Sequence, residues 1–503
     1  MATISNLPEE MIKFILCNNS INIQDIFNFC TTCKNFNTIL EDNVFWKRKF
    51  YLRWPRLKTI NEKEICTQKG YVDFRKAVET RVKCGKKLRF FLTQINKKYY
   101  RRRNGTILSS PINIDEKGLN LLMNPNEMNS LNSYFLIDEV TSLLERSERK
   151  HKDDLPNSYY TCKKLLPHLR HYYQRNIWQE FSKRPAEQQL LEEAATFVAQ
   201  WYQPRKDILY SDIDTKLNNI VQEVLVHLKL KNPKHPIFLA SPEQFLFWKN
   251  NYINENQWEN HDARQILNTL CQIFLSKLNF RRIVYSEETN IRRKYFINYV
   301  LEEKVGDSLL LTIVFQSVVR RLGICCDLII PFADDFLAVV ETQCFLTWQP
   351  KYNVTNPEYF DINILHNEVR LSKCDRPRTS LEEALYITRY GVYNTFGKIN
   401  SAQLIELINW RIVHKFSSMN LAHKDNRYSL ELLYLIKPCN MNTLMQLSFY
   451  YLQRRMSQRP IITAIKKLID YSVESTTTSR VKRTLEGLQR MERENSVTIG
   501  RHL

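Results

Sequence analysis

Groups able to do chemistry are plentiful in this chain, but few stand at a spacing that chemistry uses. Twelve cysteines are scattered through 503 residues, and Cys30 and Cys33 form a CxxC pair. A zinc site would need a second cysteine or histidine pair at ligand spacing; none follows, so reduced thiols, many buried as small apolar groups, are expected. His168 and His171 lie one turn apart with no carboxylate on the same face, a pattern that fits surface or packed residues better than metal ligands. Glycine is scarce, 10 residues in 503, and no GxGxxG or Walker-type loop is present to cradle phosphates. No metal, cofactor or nucleotide is therefore expected.

Charge is more concentrated. Residues 81–103 read RVKCGKKLRFFLTQINKKYYRRR, with ten Lys and Arg and no acid, half of the formal excess of +20. Leu88, Leu92, Ile95 and Tyr99 recur within it at helical spacing, which predicts an amphipathic helix with a basic back. Lys97, Lys98, Arg101, Arg102 and Arg103, interleaved with aromatics, form a candidate basic patch that could meet phosphates while rings stack on bases. A solvated helix face or a nuclear import signal at KKYYRRR explains the same residues, and the apolar ones have a simpler use in packing.

The length corresponds to about three domains of ~150 residues. A hydrophobic share of 43%, a charged share of 25% and a mean hydropathy of -0.42 are ordinary for a globular chain. No uninterrupted apolar run reaches the ~18 residues of a membrane span. The N-terminus, MATISNLPEE, lacks a basic start followed by an apolar core, so no export signal is expected and the location would be cytoplasmic, nuclear or both.

The elements that would position a site begin at Leu7. Pro8 suits a first helical position, and Met11, Phe14 and Ile15 follow at helical spacing. Asn22 with Asp25 reads as an N-cap and an acidic first turn for a second helix, whose stripe is Ile23, Ile26, Phe27 and Cys30. A third stripe, Cys33, Phe36, Ile39 and Leu40, precedes Val44, Phe45 and Trp46, large groups able to close a small core. Three helices in about 45 residues cannot bury all these faces alone, so a surplus apolar face needs a partner.

Leu7-Pro8, Glu10, Met11-Ile12, Ile15-Leu16, Ile26-Phe27, Cys33 and Trp46 together resemble the F-box. That resemblance implies docking on a Skp-type adaptor and, through it, on a cullin ubiquitin ligase. It also implies that Leu7, Pro8, Glu10, Met11, Ile12, Ile15, Leu16, Ile26, Phe27 and Trp46 serve adaptor binding.

Residues 104–156 read as a connector in which Ser133 to Leu144 could form one helix, and helical stripes fill residues 157–235, among them LLEEAATFVAQWYQP. VGDSLLLTIVFQSVVRRLGI predicts one buried helix ended by Gly323, and CDLIIPF, FLAVVET, CFLTW and EYFDIN predict strands, together a helix on an antiparallel sheet. The helix ending in RRLG, the Phe360-Asp361 pair and Leu371-Ser372 resemble the SirB1 type of transglutaminase-like domain. That likeness implies a Cys, His and Asp triad. Here Leu309 and Leu310 stand at the nucleophile's place and Asp335 at the base's, so only Asp361 matches, and Cys325 and Cys326 lie beyond the helix's far end. The triad reads as degenerate. An F-box followed by a SirB1-type domain is itself a known arrangement, in which a module resembling a hemimethylated-DNA-binding domain comes next; none is expected before Leu503.

LEEALYITRYGVYNTF, AQLIELINWRIVHKFSSM, NRYSLELLYLIKP, NTLMQLSFYYLQRRM and IITAIKKLIDYSV each read as one helix, an array of possible tetratricopeptide type without its signature, and the tail adds a charged helix. The expected fold is mainly α with an α+β domain: an F-box of three helices at 1–54, a basic helical region and connector at 55–156, a helical segment at 157–235, the degenerate transglutaminase-like domain at 236–378 and a helical region at 379–503. The expected role is a non-catalytic substrate receptor of a Skp–cullin–F-box (SCF) ubiquitin ligase. A nucleic-acid-binding protein and a cysteine hydrolase or acyltransferase are the alternatives.

Overall fold

The structure, a computed structural model, describes residues 4, 7–18, 20–55, 73–101, 130–148, 157–283, 291–329, 345–348, 359–365, 368–374, 385–388, 391–394, 399–417, 422–438, 440–453 and 486. They are mainly helical with a small antiparallel sheet, and the chain divides into two compact units, Met1–Tyr173 and Gln174–Leu503.

The first unit opens with α1 (Glu9–Leu16). Pro8 is its N-cap rather than its first helical residue, because its ψ of 147° is extended, and Glu9 and Glu10 complement the positive end of the helix. In α2 (Ile23–Cys30) the Asn22 side chain accepts from the Gln24 N–H at 3.4 Å, as its cap pattern predicts. Cys33 is the N-cap of α3 (Lys34–Ile39), its sulfur accepting from the Phe36 N–H at 3.5 Å, while Cys30 is buried. The CxxC pair is thus a cap and a core residue.

A fourth helix, α4 (Asn43–Arg53), replaces the expected three-helix arrangement. Asp42 accepts from the Val44 N–H at 2.8 Å and so starts a new helix. Trp46 in α4 is fully buried, stacks on Phe27 at 5.0 Å and donates its Nε1–H to the Leu40 carbonyl at 2.6 Å.

Three longer helices complete this core: α5 (Phe74–Arg101), α6 (Ser130–Glu148) and the first part of α7 (Asn157–Lys183). Leu88 and Leu92 are buried, as the stripe in α5 predicts, beside Phe74 and Val78. Arg81 is buried too, its guanidinium 5.1 Å from the Phe50 ring and 4.9 Å from the Phe135 ring.

The second unit is built around one helix. α8 (Leu191–Tyr202), α9 (Tyr210–Lys231), α10 (Pro242–Asn250), α11 (Asn260–Ser276) and α12 (Ile297–Glu303) precede α13 (Ser308–Arg321), every residue of which is buried. A short parallel pair, β1 (Arg281–Arg282) with β2 (Val305–Gly306), lies before it. After it β3 (Cys326–Ile329), β4 (Phe345–Trp348), β5 (Tyr359–Ile364) and β6 (Val369–Cys374) form an antiparallel sheet in that order, with α13 packed on β3, β4 and β5. The sequence FLAVVET, expected as a strand, lies outside the described residues.

Gly323 ends α13 with φ +81°, and a Cβ there would meet the Trp258 Nε1 at 2.8 Å. Backbone conformation and space both require glycine.

Within LEEALYITRYGVYNTF, where a helix is expected, β7 (Leu385–Thr388) pairs antiparallel with β8 (Gly391–Asn394). Gly391 disfavours a helix, while Tyr386, Ile387, Thr388, Val392 and Tyr393 are strand formers, and these local preferences prevail over the apparent stripe. α14 (Ser401–Ser417), α15 (Ala422–Ile436) and α16 (Met441–Gln453) follow, each packed on the next; the expected helix at 461–473 lies outside the described residues. One continuous core takes in Trp178, Trp201, Phe274, Phe315, Trp348, Ile408 and Leu432.

Candidate docking face

α1 has apolar side chains on two sides, and the fold covers one. Ile12 and Leu16 point into the core, 1% and 6% exposed. Met11 (49%), Phe14 (68%) and Ile15 (38%) lie outside it; at 100° per residue they occupy a separate arc of the same cylinder, and Leu7 (39%), just before the Pro8 cap, is exposed too. Val44, in the first turn of α4, is 74% exposed. Three large apolar side chains on two turns of one short helix, with Leu7 just before its cap, are far more than the scattered exposed residues of an ordinary surface.

Two lysines hold this helix. Lys13 reaches the Asp42 carboxylate at 3.0 Å and Glu9 at 2.5 Å, which ties α1 to the cap of α4. Partial burial opposes the Lys13 charge, but the hydrogen bonds to Glu9 and Asp42 outweigh it and hold the ammonium above its usual range. The hydrogen bond from Lys13 correspondingly keeps Asp42 below the carboxylate range. Lys49 of α4, 3% exposed, donates to the carbonyls of Leu16 at 2.9 Å, Asn18 at 2.7 Å and Ile21 at 3.1 Å.

Of the residues that sequence reasoning assigned to adaptor binding, Leu7, Pro8, Glu10, Met11 and Ile15 are at the surface. Ile12, Leu16, Ile26 and Trp46 are in the core, and Phe27 is half-buried against Trp46. Phe14 and Val44 were missed, although Phe14 stood in the stripe. Lys49 gave no signal, since a lysine within WKRKF reads as solvated.

The basic stretch is partly structural. Arg81 is stacked in the core, Lys83 pairs with Glu79 at 2.8 Å, and Lys86 donates to Gln24 of α2 at 3.0 Å. α5 continues to Arg101, but the side chains of Lys97, Lys98 and Arg101, and all of Arg102 and Arg103, lie outside the described residues. His171 is buried and His168 half-buried in α7. Among the described residues no group of three or more His, Cys, Asp or Glu could hold a metal ion, and no helix is long and apolar enough to cross a membrane.

At the start of α13, Leu309 and Leu310 are buried. The positive end of the helix is occupied instead by Asp307, which accepts from the Leu309 N–H at 3.0 Å and from Arg411 of α14 at 2.5 Å. Asp361 lies inside β5, opposite Thr347 and Ser372, and accepts from the Thr347 hydroxyl at 3.5 Å; Asp335 lies outside the described residues. Cys326 begins β3, where burial pushes its thiol well above the usual range. The same cause pushes Cys271 up to about 12.

The other end of α13 carries a buried charge cluster that sequence reasoning missed. Glu192 of α8, wholly buried, pairs with Arg320 and with Arg321 at 2.8 Å and accepts from Ser317 at 3.0 Å. Burial alone would raise the Glu192 carboxyl, but the two guanidinium groups bring it down to about 2. Burial holds Arg320 below its usual range; Arg321, with Asp214 as a second carboxylate at 3.4 Å, is held above it. RRLG and LEEA, read as separate motifs, thus meet in one cluster.

No family model matches this chain, and no solved structure matches it significantly. F-box only protein 21 of Mus musculus is 24% identical over 324 residues, 63% of this chain and 46% of the relative. The Homo sapiens and Pongo abelii proteins of that name are also 24% identical, over 330 residues and 64% of this chain. The chain spans about half the length of the curated relatives it matches. It is homologous to F-box only protein 21 over nearly two thirds of its own length, which supports reading it as an F-box protein.

Proposed function

We propose that the chain is a substrate receptor of an SCF-type ubiquitin ligase, docked on a Skp-type adaptor through the exposed arc of α1 and held by that adaptor on a cullin. The uncovered arc of Met11, Phe14 and Ile15, on a helix whose other side is packed, with the exposed Leu7 before its cap, carries this reading. Buried apolar anchors supply most of the energy of such interfaces. The receptor acts by tethering, which raises the effective concentration of a substrate lysine near a ubiquitin-charged enzyme. Cytoplasm, nucleus or both would be its location.

The receptor has no acyl-transfer chemistry of its own in this reading. Leu309 and Leu310 carry no ionisable group, and the Cys326 thiol is held protonated by burial. The domains proposed are those read from the sequence, with the transglutaminase-like region as a candidate substrate-holding surface.

The test replaces Leu7 and Pro8 together by alanine in the full chain and measures co-purification with a co-expressed Skp-type adaptor. Adaptor lost from a chain that keeps native circular dichroism supports the proposal; adaptor retained at wild-type yield removes it.

A further inference from the structure

The docking helix is too short to stand alone. α1 has eight residues, whereas isolated helices below ~12–15 residues are marginal in water. Its first turn receives no side-chain cap, since Pro8 offers none. Its exposed arc gains nothing from the core. What holds it is the burial of Ile12 and Leu16, the Lys13–Asp42 pair, and its C-terminal end.

The last carbonyls of a helix lack partners within it. Here one ammonium supplies three: Lys49 donates to Leu16, the final residue of α1, to Asn18 in the turn, and to Ile21 just before α2. An ammonium has three N–H donors, so all of them are used, and a cation at this end also complements the helix dipole. The lysine belongs to α4, the helix that carries Val44 and Trp46. A single buried side chain therefore sets the end of α1, the turn into α2 and both of them against α4.

Resting on the adaptor-docking reading above, we infer that Lys49 is a positioning residue for the docking face, holding α1 in its binding-competent orientation before the partner arrives. A helix held in place loses less freedom on binding, and a competent state only a tenth populated would weaken apparent affinity about tenfold. Replacing the ammonium by an isosteric apolar group removes the three donors and keeps the buried stem.

The experiment compares the wild-type full chain with Lys49→Met and with the double variant Met11→Ala, Phe14→Ala. Hydrogen exchange over residues 9–21 and the kinetics of binding to a purified Skp-type adaptor are measured for each. Lys49→Met should exchange faster over 9–21 and bind about tenfold more weakly, mainly through a slower on-rate. The double variant, which loses contacts rather than orientation, should keep wild-type exchange and dissociate faster. Unchanged exchange in Lys49→Met, or faster exchange with a wild-type on-rate, overturns the inference. If Lys49→Met does not fold, Lys49→Arg decides: a charged multi-donor head should keep affinity within about threefold, and a folded Lys49→Arg weakened tenfold or more overturns the inference. A wild-type chain that binds no adaptor removes the docking proposal, and the exchange arm still shows whether Lys49 fixes α1.

Discussion

α1 and α13 are both helices marked as apolar by their sequences, and they use that character in opposite ways. Every residue of α13 is buried, including Arg320 and Arg321, and its polar side chains find partners within its own unit. α1 buries Ile12 and Leu16 and leaves Met11, Phe14 and Ile15 in solvent, with Leu7 exposed just before its cap. A helix whose whole surface is engaged explains folding. A helix with an apolar arc left over calls for something outside the fold, because surface of that kind is rarely left uncovered without a use. The comparison predicts that substitutions in α13 act on stability, and those on the outer arc of α1 act on binding.

The largest effect is expected at Glu192. Glu192→Ala leaves two buried guanidinium groups sharing only what Asp214 and backbone carbonyls provide, and breaking a buried pair by removing one partner costs about 3–5 kcal/mol. Urea denaturation followed by tryptophan fluorescence should show the transition of the second unit move to lower denaturant. An unchanged midpoint would mean that α13 is not held as described.

Acid titrates the same cluster. The Glu192 carboxyl is lowered from an ordinary 4.5 to about 2, so the folded state binds this proton less readily than the unfolded chain. Its contribution is complete above about pH 4.5 and is lost as pH falls toward about 2, on the order of 3 kcal/mol at 1.36 kcal/mol per pKa unit. Urea midpoints between pH 6 and pH 3 should fall more steeply for wild type than for Glu192→Gln. Parallel slopes would contradict the assignment.

Gly323→Ala comes next. The residue has φ +81°, and the new methyl would press on the Trp258 indole nitrogen, which donates to the Leu322 carbonyl at 2.6 Å. A loss of about 1–3 kcal/mol is expected, read as a lower thermal midpoint. At the far end of the scale, Met11→Ala with Phe14→Ala should move stability by no more than ~0.5 kcal/mol, as surface substitutions do.

Where local physics and tertiary packing agree, the structure could be read from the residues. Asn22 caps α2, the run from Ser308 to Arg321 is one buried helix, and Gly323 stops it, because each of these rests on a local backbone preference. The surplus apolar face of the N-terminus was also legible, since too few residues surrounded too many large side chains. Its division was not. Ile12 and Ile15 look alike in sequence, and only the packing of α1 on its neighbours decides that one is core and the other surface.

Charged residues were the least legible. Lys49, Glu192, Arg320 and Arg321 are each buried beside partners 28 to 129 positions away along the chain, a pairing that no local pattern announces. Within residues 381–396, where one helix is expected, β7 pairs with β8 instead.

The central claim, that the outer arc of α1 is a docking surface, is tested most directly by titrating purified Skp-type adaptor into the full chain by calorimetry. Wild type is compared with Met11→Ala, Phe14→Ala, and urea midpoints are measured on the same samples. Removing two central anchors should weaken binding by at least about 2 kcal/mol, roughly 30-fold, with the midpoint unmoved. Wild-type affinity in the double variant, or no binding by the wild-type chain, would contradict the account.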